Sequence, residues 1–481
     1  MSAIKNIFFL LLLVSSFSLF AVTRTLKSFG AKGNAVTDDT EAIQKALLAC
    51  QEGELLDGEG FVYLVEGTVD VTLKEMNLIN CRFVVGKTYD KQGNFHIITN
   101  TANLTNITVD GQRDTTNDIE KWNVFSTENN VKSICPSRPD FFYFYAMDNQ
   151  AHIEVNKFSV KNLHAMSAIT IYSLGKVMLN DLYFKNLSYK TFHVYHSIDD
   201  GKTSGGETIV SNAYAENVGV LPVKLQVDGK FYDRVSLQMM PQASFNFIVS
   251  HGNYTAHNLE VVNYGSTAVT ADRNKNFTAD KIKIYNYSGL VFSNNPSGGM
   301  WFERCETATI DNLKIKITSR DKRDSNFDSS AIHIYSAGGK VTINNLDIES
   351  GREGCLNKGL RGSLLGKCDI LIKNFKLSGN YKSSAAQFAL LDNSILSTVK
   401  IDRLNLESHS VDFYGMQNVL IGEVIGKTGN ENLNFMLPSS SVHNGNYEVE
   451  KVNLKQINVD KNIKNIKLMN KTKKPLIKIL N

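Results

Sequence analysis

The sequence predicts an all-β solenoid, in which short strands wind into coils that stack on one another. The first observation is a module of a short apolar strand, an Asn-Asp bend, a second short strand and a further Asn, seen at Val177–Asn186. The second is the recurrence of this module along most of the 481 residues. The third is its period, which is mostly in the twenties and filled by strands, as is typical of stacked coils.

The first residue after each bend marks one coil. Successive markers lie 20 to 33 residues apart, except for a spacing of 51 between Ile107 and Phe158. That interval holds either two coils or one coil with a long loop. The markers are Phe83, Ile107, Phe158, Leu182, Tyr214, Val235, Leu259, Ile282, Leu313, Leu346, Phe375, Leu404, Val424 and Val452.

The N-terminal segment has the pattern of an export signal. Lys5 precedes an apolar run from Ile7 to Phe20 that is interrupted only by three serines. The run is typical of a secretory signal peptide and is shorter than the roughly 20 apolar residues that a membrane span needs. We therefore expect residues 1–21 to be a signal peptide, the protein to be secreted or periplasmic, and no membrane attachment after signal removal.

Residues 22–60 are predicted to cap the open end of the solenoid. Asp38, followed by Glu41, forms a capping box at the start of a helix. Ile43, Ala46, Leu47 and Cys50 then share one helical face. A short amphipathic helix here would cover strand edges that a terminal coil leaves exposed. Helix capping accounts for Asp38 and Asp39, so we do not assign them a catalytic role.

The segment that contains this helix resembles the N-terminal signature of the pectate lyase superfamily, which includes tailspike and polygalacturonase-like secreted polysaccharide-degrading proteins. It reads Ser-Phe-Gly-Ala-Lys-Gly-Asn-Ala-Val-Thr-Asp-Asp-Thr-Glu-Ala-Ile-Gln-Lys-Ala from Ser28 to Ala46. It departs from the signature at Asn34, where Asp is usual, and at Ala35, where Gly is frequent. The resemblance implies a single-stranded right-handed parallel β-helix with a short N-terminal capping helix, and a carbohydrate ligand. We assign the β-helix to residues 61–465 and a basic C-terminal tail to residues 466–481.

One strand of each coil is expected to line a long binding face, with side chains alternating between the core and the outside. The predicted face strands are Phe141–Tyr145, Ser167–Ser173, Thr191–Ser197, Val218–Gln226, Phe245–Ser250, Thr267–Asp272, Gly289–Asn294, Ala331–Tyr335 and Gln387–Asp392. The alternation turns Thr170, Tyr172, His193, Tyr195, Asn246, Thr270, Asp272, His333 and Tyr335 outward.

These outward residues predict a groove on the solvent-exposed face of the solenoid. Tyr172, Tyr195 and Tyr335 share one register, and tyrosine rings stack on sugar faces. The predicted substrate-binding residues are Tyr172, His193, Tyr195, Asn246, Lys275, His333 and Tyr335. Two long insertions, Gly111–Pro139 and Arg320–Ser330, are interpreted as walls of this cleft, because long loops in compact folds are commonly functional.

A glycoside hydrolase needs two carboxylates near the scissile bond. Asp199 and Asp200 are candidates, because Gly201 favours a turn that could present both. Asp272 lies three coils further along, about 14 Å away at the usual strand spacing. It would therefore need a nearer partner, such as Asp233 or a loop carboxylate.

A polysaccharide lyase needs a base and a cation. His251, Arg273 and Lys275 follow consecutive face strands and are expected to converge on Asp272, which makes this cluster the favoured centre of the site. The polygalacturonase-like branch carries Asn-Thr-Asp, Asp-Asp, Gly-His-Gly and Arg-x-Lys in order. Asp199-Asp200, His251-Gly252 and Arg273-x-Lys275 resemble the last three of these, without an upstream Asn-Thr-Asp.

The favoured function is an exported enzyme that cleaves an extracellular polysaccharide, with a hydrolase slightly ahead of a lyase and an acidic polymer as one alternative for the substrate. A non-catalytic carbohydrate-binding or surface-adhesion β-helix is the alternative, and an epimerase is a smaller third one.

No cofactor or metal is expected, apart from Ca²⁺ if the chain is a lyase. The net charge of +4 is small, and no motif for nucleic acid is present. The oligomeric state stays open, with a homotrimer as one alternative. Cys355–Cys368 is the one disulfide worth testing among six cysteines.

Overall fold

The structure is a computed structural model, and it describes most of the chain beyond the predicted signal peptide. The described residues are 22–86, 93–113, 122–126, 132–136, 139–198, 203–219, 224–227, 230–233, 237–239, 243–248, 251–265, 267–287, 297–318, 330–336, 339–351, 356–390, 397–407, 409–437, 445–469 and 475–480. The predictions for the signal peptide, for Asp199 and Asp200, for Arg320–Ser330 apart from Ser330, and for Cys355 thus fall outside these ranges.

Short strands make up almost all of the regular structure. The first elements are β1 (Thr23–Thr25), a 3-10 helix (Leu26–Phe29), β2 (Asn34–Asp38), α1 (Thr40–Ala49), β3 (Leu55–Asp57), β4 (Val62–Val65), β5 (Thr68–Thr72), β6 (Glu75–Ile79), β7 (Arg82–Val85), β8 (Asn94–Ile98) and β9 (Thr101–Asp110). The middle of the chain forms β10 (Trp122–Ser126), β11 (Lys132–Pro136), β12 (Phe142–Ala146), β13 (His152–Leu163), β14 (Ser167–Ser173), β15 (Lys176–Leu187), β16 (Lys190–Tyr195), β17 (Ser197–Ile198), β18 (Thr203–Ser204), β19 (Glu207–Val218), β20 (Lys224–Val227), β21 (Lys230–Asp233), β22 (Leu237–Met239), β23 (Ala243–Ile248), β24 (Asn253–Tyr264), β25 (Thr267–Asp272) and β26 (Asn276–Asn286). The remainder forms β27 (Ser297–Glu303), β28 (Thr307–Ile317), β29 (Ser330–Ser336), β30 (Gly339–Ser350), β31 (Leu356–Leu364), β32 (Cys368–Gly379), β33 (Tyr381–Leu390), β34 (Thr398–Leu406), β35 (Ser410–Tyr414), β36 (Asn418–Gly426), β37 (Asn432–Met436), β38 (Asn446–Asn453), β39 (Gln456–Asp460), β40 (Ile466–Leu468) and β41 (Leu476–Leu480).

Two long parallel sheets run along the molecule, as a solenoid requires. The face sheet stacks β5, β8, β12, β14, β16, β23, β25, β27, β29, β31, β33, β35, β37, β39 and β41 in that order. The bent sheet stacks β9, β13, β15, β19, β24, β26, β28, β30, β32, β34, β36, β38 and β40. Successive strands of one sheet are joined through a strand of the other, which makes this a right-handed parallel β-helix.

The core lies between the two sheets and is built from the inward half of each strand. In the face sheet, Phe192 stacks on Phe245 with ring centroids 5.2 Å apart, and Phe413 stacks between Phe388 and Phe435 at 5.5 and 5.3 Å. All five rings are fully buried. Each contributes about 1.5–3 kcal/mol through burial, so repeated aromatic stacking holds neighbouring coils in register.

Left-handed residues produce the bends that the repeat predicted. Asp181, Asn186, Asn212 and Asn217 have φ between 53° and 55°, and Asn tolerates this region better than most residues. Their amides also bond along the stack, since Asn217 donates to Asn186 at 3.1 Å and Asn212 donates to Asp181 at 3.0 Å. The recurring Asn is thus structural.

The capping helix forms one residue later than predicted. α1 begins at Thr40 after an Asp39 N-cap, and Asp38 accepts hydrogen bonds from the backbone and hydroxyl of Thr40. Asp39 instead accepts from Lys32 and Gly33, which fastens the preceding loop to the helix. The buried face of Ile43, Ala46 and Leu47 is as predicted.

Three coil markers differ from the structure. Phe83 pairs with Val109, so Cys81 and not Phe83 is level with the Ile107 marker. Ala213, not Tyr214, occupies the inward position beside Leu182. Strand β19 pairs directly with β24, and Val235 between them lies outside the described residues. The interval of 51 residues is one coil with an insertion, because β9 pairs directly with β13. Strands β40 and β41, in the predicted basic tail, continue the two sheets.

The insertions form small sheets of their own. Within the insertion after Gly111, β10 and β11 pair antiparallel, and β11 also pairs with β22 from the insertion that follows β19. Strand β20 of the latter pairs antiparallel with β21, so the predicted face strand Val218–Gln226 is wrong. Of the described residues, no stretch of helix is both long and apolar enough to cross a membrane.

Candidate functional site

The candidate site lies on the outward side of the face sheet, where two rows of polar and aromatic residues run along the molecule. The first row is His96, Tyr143, Thr170, His193, Asn246, Thr270, Trp301, His333 and Arg361. The second row, two residues later on the same strands, includes Tyr145, Tyr172, Tyr195, Asp272, Glu303, Tyr335 and Ser363. The apolar residues between them, such as Ile171 and Phe302, are buried in the core.

Asp272 and Glu303 form the acidic centre of the second row. They are directly paired at the ends of β25 and β27, so their backbones are about 4.8 Å apart. Arg273 Nε lies 3.7 Å and an Arg304 guanidinium nitrogen 3.9 Å from Asp272 Oδ1. Arg304 also forms an ion pair with Glu303, and Trp301 Nε1 donates to Glu303 Oε2 at 3.1 Å.

Asp272 has an unusual protonation equilibrium for a carboxyl group. Burial and the neighbouring Glu303 charge raise its pKa to about 6, against the lowering effect of Arg273 and Arg304. The side chain is only slightly exposed, and within the described residues its Oδ1 accepts no hydrogen bond. A carboxyl of this kind holds a proton near neutral pH and can donate it.

The turns beside this acidic centre place cations in a conformation that such residues rarely adopt. His251, Arg273 and Arg304 have φ of 46°, 53° and 52°, in turns that follow face strands. The turns stack, because His251 N–H donates to Arg273 O and Arg273 N–H donates to Glu303 O. Left-handed backbone in bulky residues persists where the surroundings impose it, and it concentrates at functional sites.

Aromatic residues flank the acids on the C-terminal side. Trp301 meets His333 edge to face at 4.6 Å and lies 6.5 Å from Tyr335. Tyr335 pairs with Glu303 on the next strand, so it stands beside the acidic centre. His333 is almost fully buried, with Nε2 3.2 Å from the Ser363 hydroxyl.

A tyrosine platform lies on the N-terminal side, and we define it as Tyr143, Tyr145, Tyr172 and Tyr195. The Tyr172 and Tyr195 rings stack at 4.3 Å with planes 13° apart, and Tyr172 lies 5.5 and 6.4 Å from Tyr143 and Tyr145. All four rings are partly accessible. Tyr195 is two strands from Asp272, about 10 Å along the sheet.

A buried polar network supports this platform from beneath. His193 lies under Tyr195, with ring centroids 3.8 Å apart, and its Nδ1 is 3.3 Å from the Lys190 ammonium. Burial and the Lys190 charge hold the His193 pKa well below its usual range, so the imidazole is neutral. Asp140 accepts a hydrogen bond from Ser167, and burial raises the pKa of its carboxyl. The neutral His193 ring thus packs against Tyr195 of the platform.

Several predicted site residues lie where the alternation placed them but are not exposed. His193, Asn246, Asp272 and His333 are 5%, 0%, 8% and 3% exposed, which corrects the expectation of a solvent-facing row. The reason is the narrow strand spacing, which lets large outward neighbours such as Tyr195 and Trp301 cover smaller ones. Tyr172, Tyr195 and Tyr335 share one row and are half-buried.

The predicted cationic cluster is only partly assembled. Arg273 contacts Asp272, whereas the side chains of His251 and Lys275 are exposed, and neither contacts Asp272 among the described residues. Lys275 stands at the start of β26, past the turn, which carries it away from the carboxyl. The partner predicted for Asp272 was Asp233 or a loop acid, but the structure places Glu303 beside it.

Glu303, Trp301 and Arg304 were not predicted as site residues. The face strand of this coil was assigned to Gly289–Asn294, whereas it is β27 at Ser297–Glu303. The alternation in Met300-Trp301-Phe302-Glu303, apolar inside and functional outside, was the signal that could have found them. In the described part of the chain, no group of three His, Cys, Asp or Glu side chains is arranged to hold a metal ion.

The two sheets and their register define the class of the fold, which is a right-handed parallel β-helix. No family description and no curated protein matches the sequence. Among solved structures, the chain is similar to PfbA, a surface adhesin of Streptococcus pneumoniae, with 14% identity, a TM-score of 0.38 and coverage of 88% of this chain and 93% of that one. It is also similar to a family 28 exopolygalacturonase of Yersinia enterocolitica, with 11% identity, a TM-score of 0.31 and coverage of 92% and 79%.

Proposed function

We propose that this protein is an exported glycoside hydrolase that cleaves an extracellular polysaccharide on its face sheet. The observation that carries the proposal is the buried Asp272 carboxyl, whose pKa is raised to about 6, beside a second carboxylate on the next strand. Asp272 acts as the general acid that protonates the leaving oxygen. Export is proposed from the signal-like segment at residues 1–21.

Glu303 is the second carboxylate of the reaction. It forms an ion pair with Arg304 and accepts a hydrogen bond from Trp301, and these contacts hold its carboxylate in place beside Asp272. Arg304 lies 3.9 Å from Asp272 and forms an ion pair with Glu303, so one guanidinium group contacts both carboxyl groups. This close placement suits the separation of about 5–5.5 Å in retaining glycosidases better than the larger separation in inverting ones. Glu303 therefore acts as the nucleophile, and the anomeric configuration of the product is retained.

The substrate lies along the face sheet from the tyrosine platform to Tyr335. Aromatic rings offer apolar faces for sugar rings. Four tyrosines precede the acids along the sheet, Trp301 shares a strand with Glu303, and Tyr335 follows on the next strand. Arg273 and Arg304 border the acids and would attract sugars with carboxylate groups, so the polymer contains acidic units.

A binding module without catalysis is the second candidate. The observation that favours it is that Asp272 and Glu303 already neutralise both neighbouring arginines in the unliganded chain. Ion pairs with a purely structural role also perturb pKa values, so the raised pKa of Asp272 does not by itself require catalysis. The tyrosine platform alone would then carry the function, as a sugar-binding surface.

Product analysis on neutral and uronate-containing polysaccharides tests the proposal. New reducing ends without the ultraviolet absorbance of an unsaturated uronate identify a hydrolase, and the first anomer formed, read by NMR, tests retention. Asp272→Asn and Glu303→Gln should each lower kcat by at least about 100-fold, which is the typical share of acid–base catalysis. Asp412→Asn, an acid on the same face five strands away, is the matched control and should retain activity.

Each other outcome has a defined meaning. An unsaturated product would replace the hydrolase with a lyase. Binding to polysaccharide with no new ends on any substrate would favour the binding module. Unchanged turnover in both acidic variants would remove Asp272 and Glu303 from the mechanism.

A further inference from the structure

A second surface feature lies on the bent sheet, away from the tyrosine platform and the acids. Where strands β26, β28, β30, β32 and β34 bend, they enclose an open groove of about 580 Å³. The groove crosses five strands, or about 19 Å at the usual spacing, and runs parallel to the axis of the solenoid. Nothing in the proposed cleavage reaction uses it.

The floor of this groove is a ladder of side-chain amides. Asn345 Nδ2 donates to Asn312 Oδ1 at 3.1 Å, and Asn374 Nδ2 donates to Asn345 Oδ1 at 2.9 Å. These bonds hold the three amides in line, one per strand. These amides form an ordered polar row in a lining whose accessible surface is mostly apolar.

The wall of the groove is rich in lysine. The lining contains Lys281, Lys283, Lys314 and Lys376 but only one carboxylate, Asp347. Lys283 pairs with Glu260 at 3.1 Å and Lys376 lies 3.7 Å from Asp347, whereas Lys281 and Lys314 form no ion pair within the described residues. Two exposed ammonium groups thus face the groove without an acid to neutralise them.

The positive charge is not a general property of the bend. Further along the same bend, strands β34, β36 and β38 border a groove of about 540 Å³ that is lined by two lysines, Lys400 and Lys451, against Asp402, Glu423, Glu448 and Glu450. Two grooves on the bent sheet therefore differ in the sign of the charge that lines them. An anionic ligand would be attracted to the first groove and repelled by the second.

We propose that the lysine groove binds an anionic polysaccharide, with the chain lying along the amide floor and its carboxylates or sulfates at Lys281, Lys283, Lys314 and Lys376. One sugar unit spans roughly one strand spacing, so successive acidic groups meet lysines on successive or alternate strands. The ammonium groups on flexible stems adapt to either anion. The groove holds the polymer whether or not the face sheet cleaves it.

Binding of polygalacturonate and heparin to the full chain tests this, with carboxylate and sulfate as the two sources of anion. The protein carries Asp272→Asn and Glu303→Gln throughout, so that cleavage cannot remove the ligand. Lys281→Ala with Lys314→Ala should weaken binding of at least one polymer about five- to tenfold, because two exposed charge contacts are lost. Salt should weaken binding to the parent more than to this variant.

Lys400→Ala with Lys451→Ala, in the acidic groove, removes the same charge and should leave affinity unchanged. Equal weakening by both lysine pairs, or none by the first, would overturn the proposal. Equal affinity for DNA of similar charge would also overturn it, since the site would then lack preference for glycans. All exchanged lysines are exposed or half-exposed, so unchanged thermal unfolding is expected and serves as the folding control.

Discussion

At the residue scale, the site depends on how its neighbours set the charge of Asp272. The carboxyl sits among two arginines and one glutamate, yet burial outweighs the arginines and its pKa is raised to about 6. The folded state therefore binds a proton that the unfolded chain releases near pH 4. Stability associated with Asp272 is fully present below that value and is lost as pH rises through 6.

Asp272→Asn tests this link between charge and stability. Asparagine stays neutral, so the variant should gain stability relative to the parent as pH rises from about 4 to about 7, by up to about 3 kcal/mol for a shift of two pKa units. Urea unfolding midpoints of both proteins across this range measure the difference. A difference between the two unfolding midpoints that is equal at both ends of this pH range would contradict the raised pKa of Asp272.

Two further substitutions should move the pKa of Asp272 in opposite directions. Glu303→Gln removes the like charge that raises it, so the pKa should fall. Arg304→Ala removes a cation that lowers it, so the pKa should rise further. NMR titration of carboxyl carbons reads both values directly. An unchanged pKa in both variants would mean that burial alone controls the equilibrium.

At the scale of the element, the sequence predicted the presence of strands more reliably than the residues at which they begin and end. The face strands at Ser167–Ser173 and Thr267–Asp272 were predicted with correct bounds, because each alternates apolar and polar residues between clear turns. The sequence did not predict the strand at Ser297–Glu303. Gly298 and Gly299 weaken its alternation of apolar and polar residues, and the apolar pair Leu290–Val291 placed the predicted strand earlier in the chain. This one displacement hid both Glu303 and Trp301.

Contacts between coils were the other part that the sequence could not supply. Burial of His333 depends on Trp301 from the neighbouring strand, and the register of the two strands is set by bends and insertions rather than by local pattern. Likewise, the sequence predicted Asp38 as the N-cap residue of α1, whereas that residue is Asp39. The Asp39 carboxylate accepts hydrogen bonds from Lys32 and Gly33, which lie before the helix and outside the capping box, so these contacts could not be predicted from it.

The asparagine side chains that bond to one another at the left-handed bends give a prediction for a single element. Asn217 has φ of 54°, donates to Asn186 and accepts from Asn263. Asn217→Ala loses both bonds and adds left-handed strain, so the free energy of unfolding should fall by about 2–4 kcal/mol. In Asn217→Gly the bonds are lost without the strain, so the decrease in the free energy of unfolding should be about 1–2 kcal/mol smaller than in Asn217→Ala. Equal losses in urea unfolding would show that the backbone conformation is not strained.

At the scale of the whole molecule, the architecture followed from one repeat. A coil touches only its neighbours, so the period alone predicted the solenoid, and the interval of 51 residues was resolved only by the pairing of β9 with β13. The same modularity separates the functional surfaces. The acids lie on the face sheet, the lysine groove lies on the bent sheet, and the core between them is continuous.

Modularity predicts that core damage stays local. Phe413 stacks between Phe388 and Phe435 in the C-terminal part of the face sheet, so Phe413→Ala should cost about 3–5 kcal/mol there. Hydrogen exchange should rise in β33, β35 and β37 while β14, β16 and β25 keep their protection, and binding to the face should survive. Phe192→Ala removes an equivalent stacked ring beneath the tyrosine platform, so it should reverse this pattern and weaken sugar binding. Uniform loss of protection from either exchange would mean that the solenoid unfolds as one cooperative unit, because distant coils would then depend on every core layer.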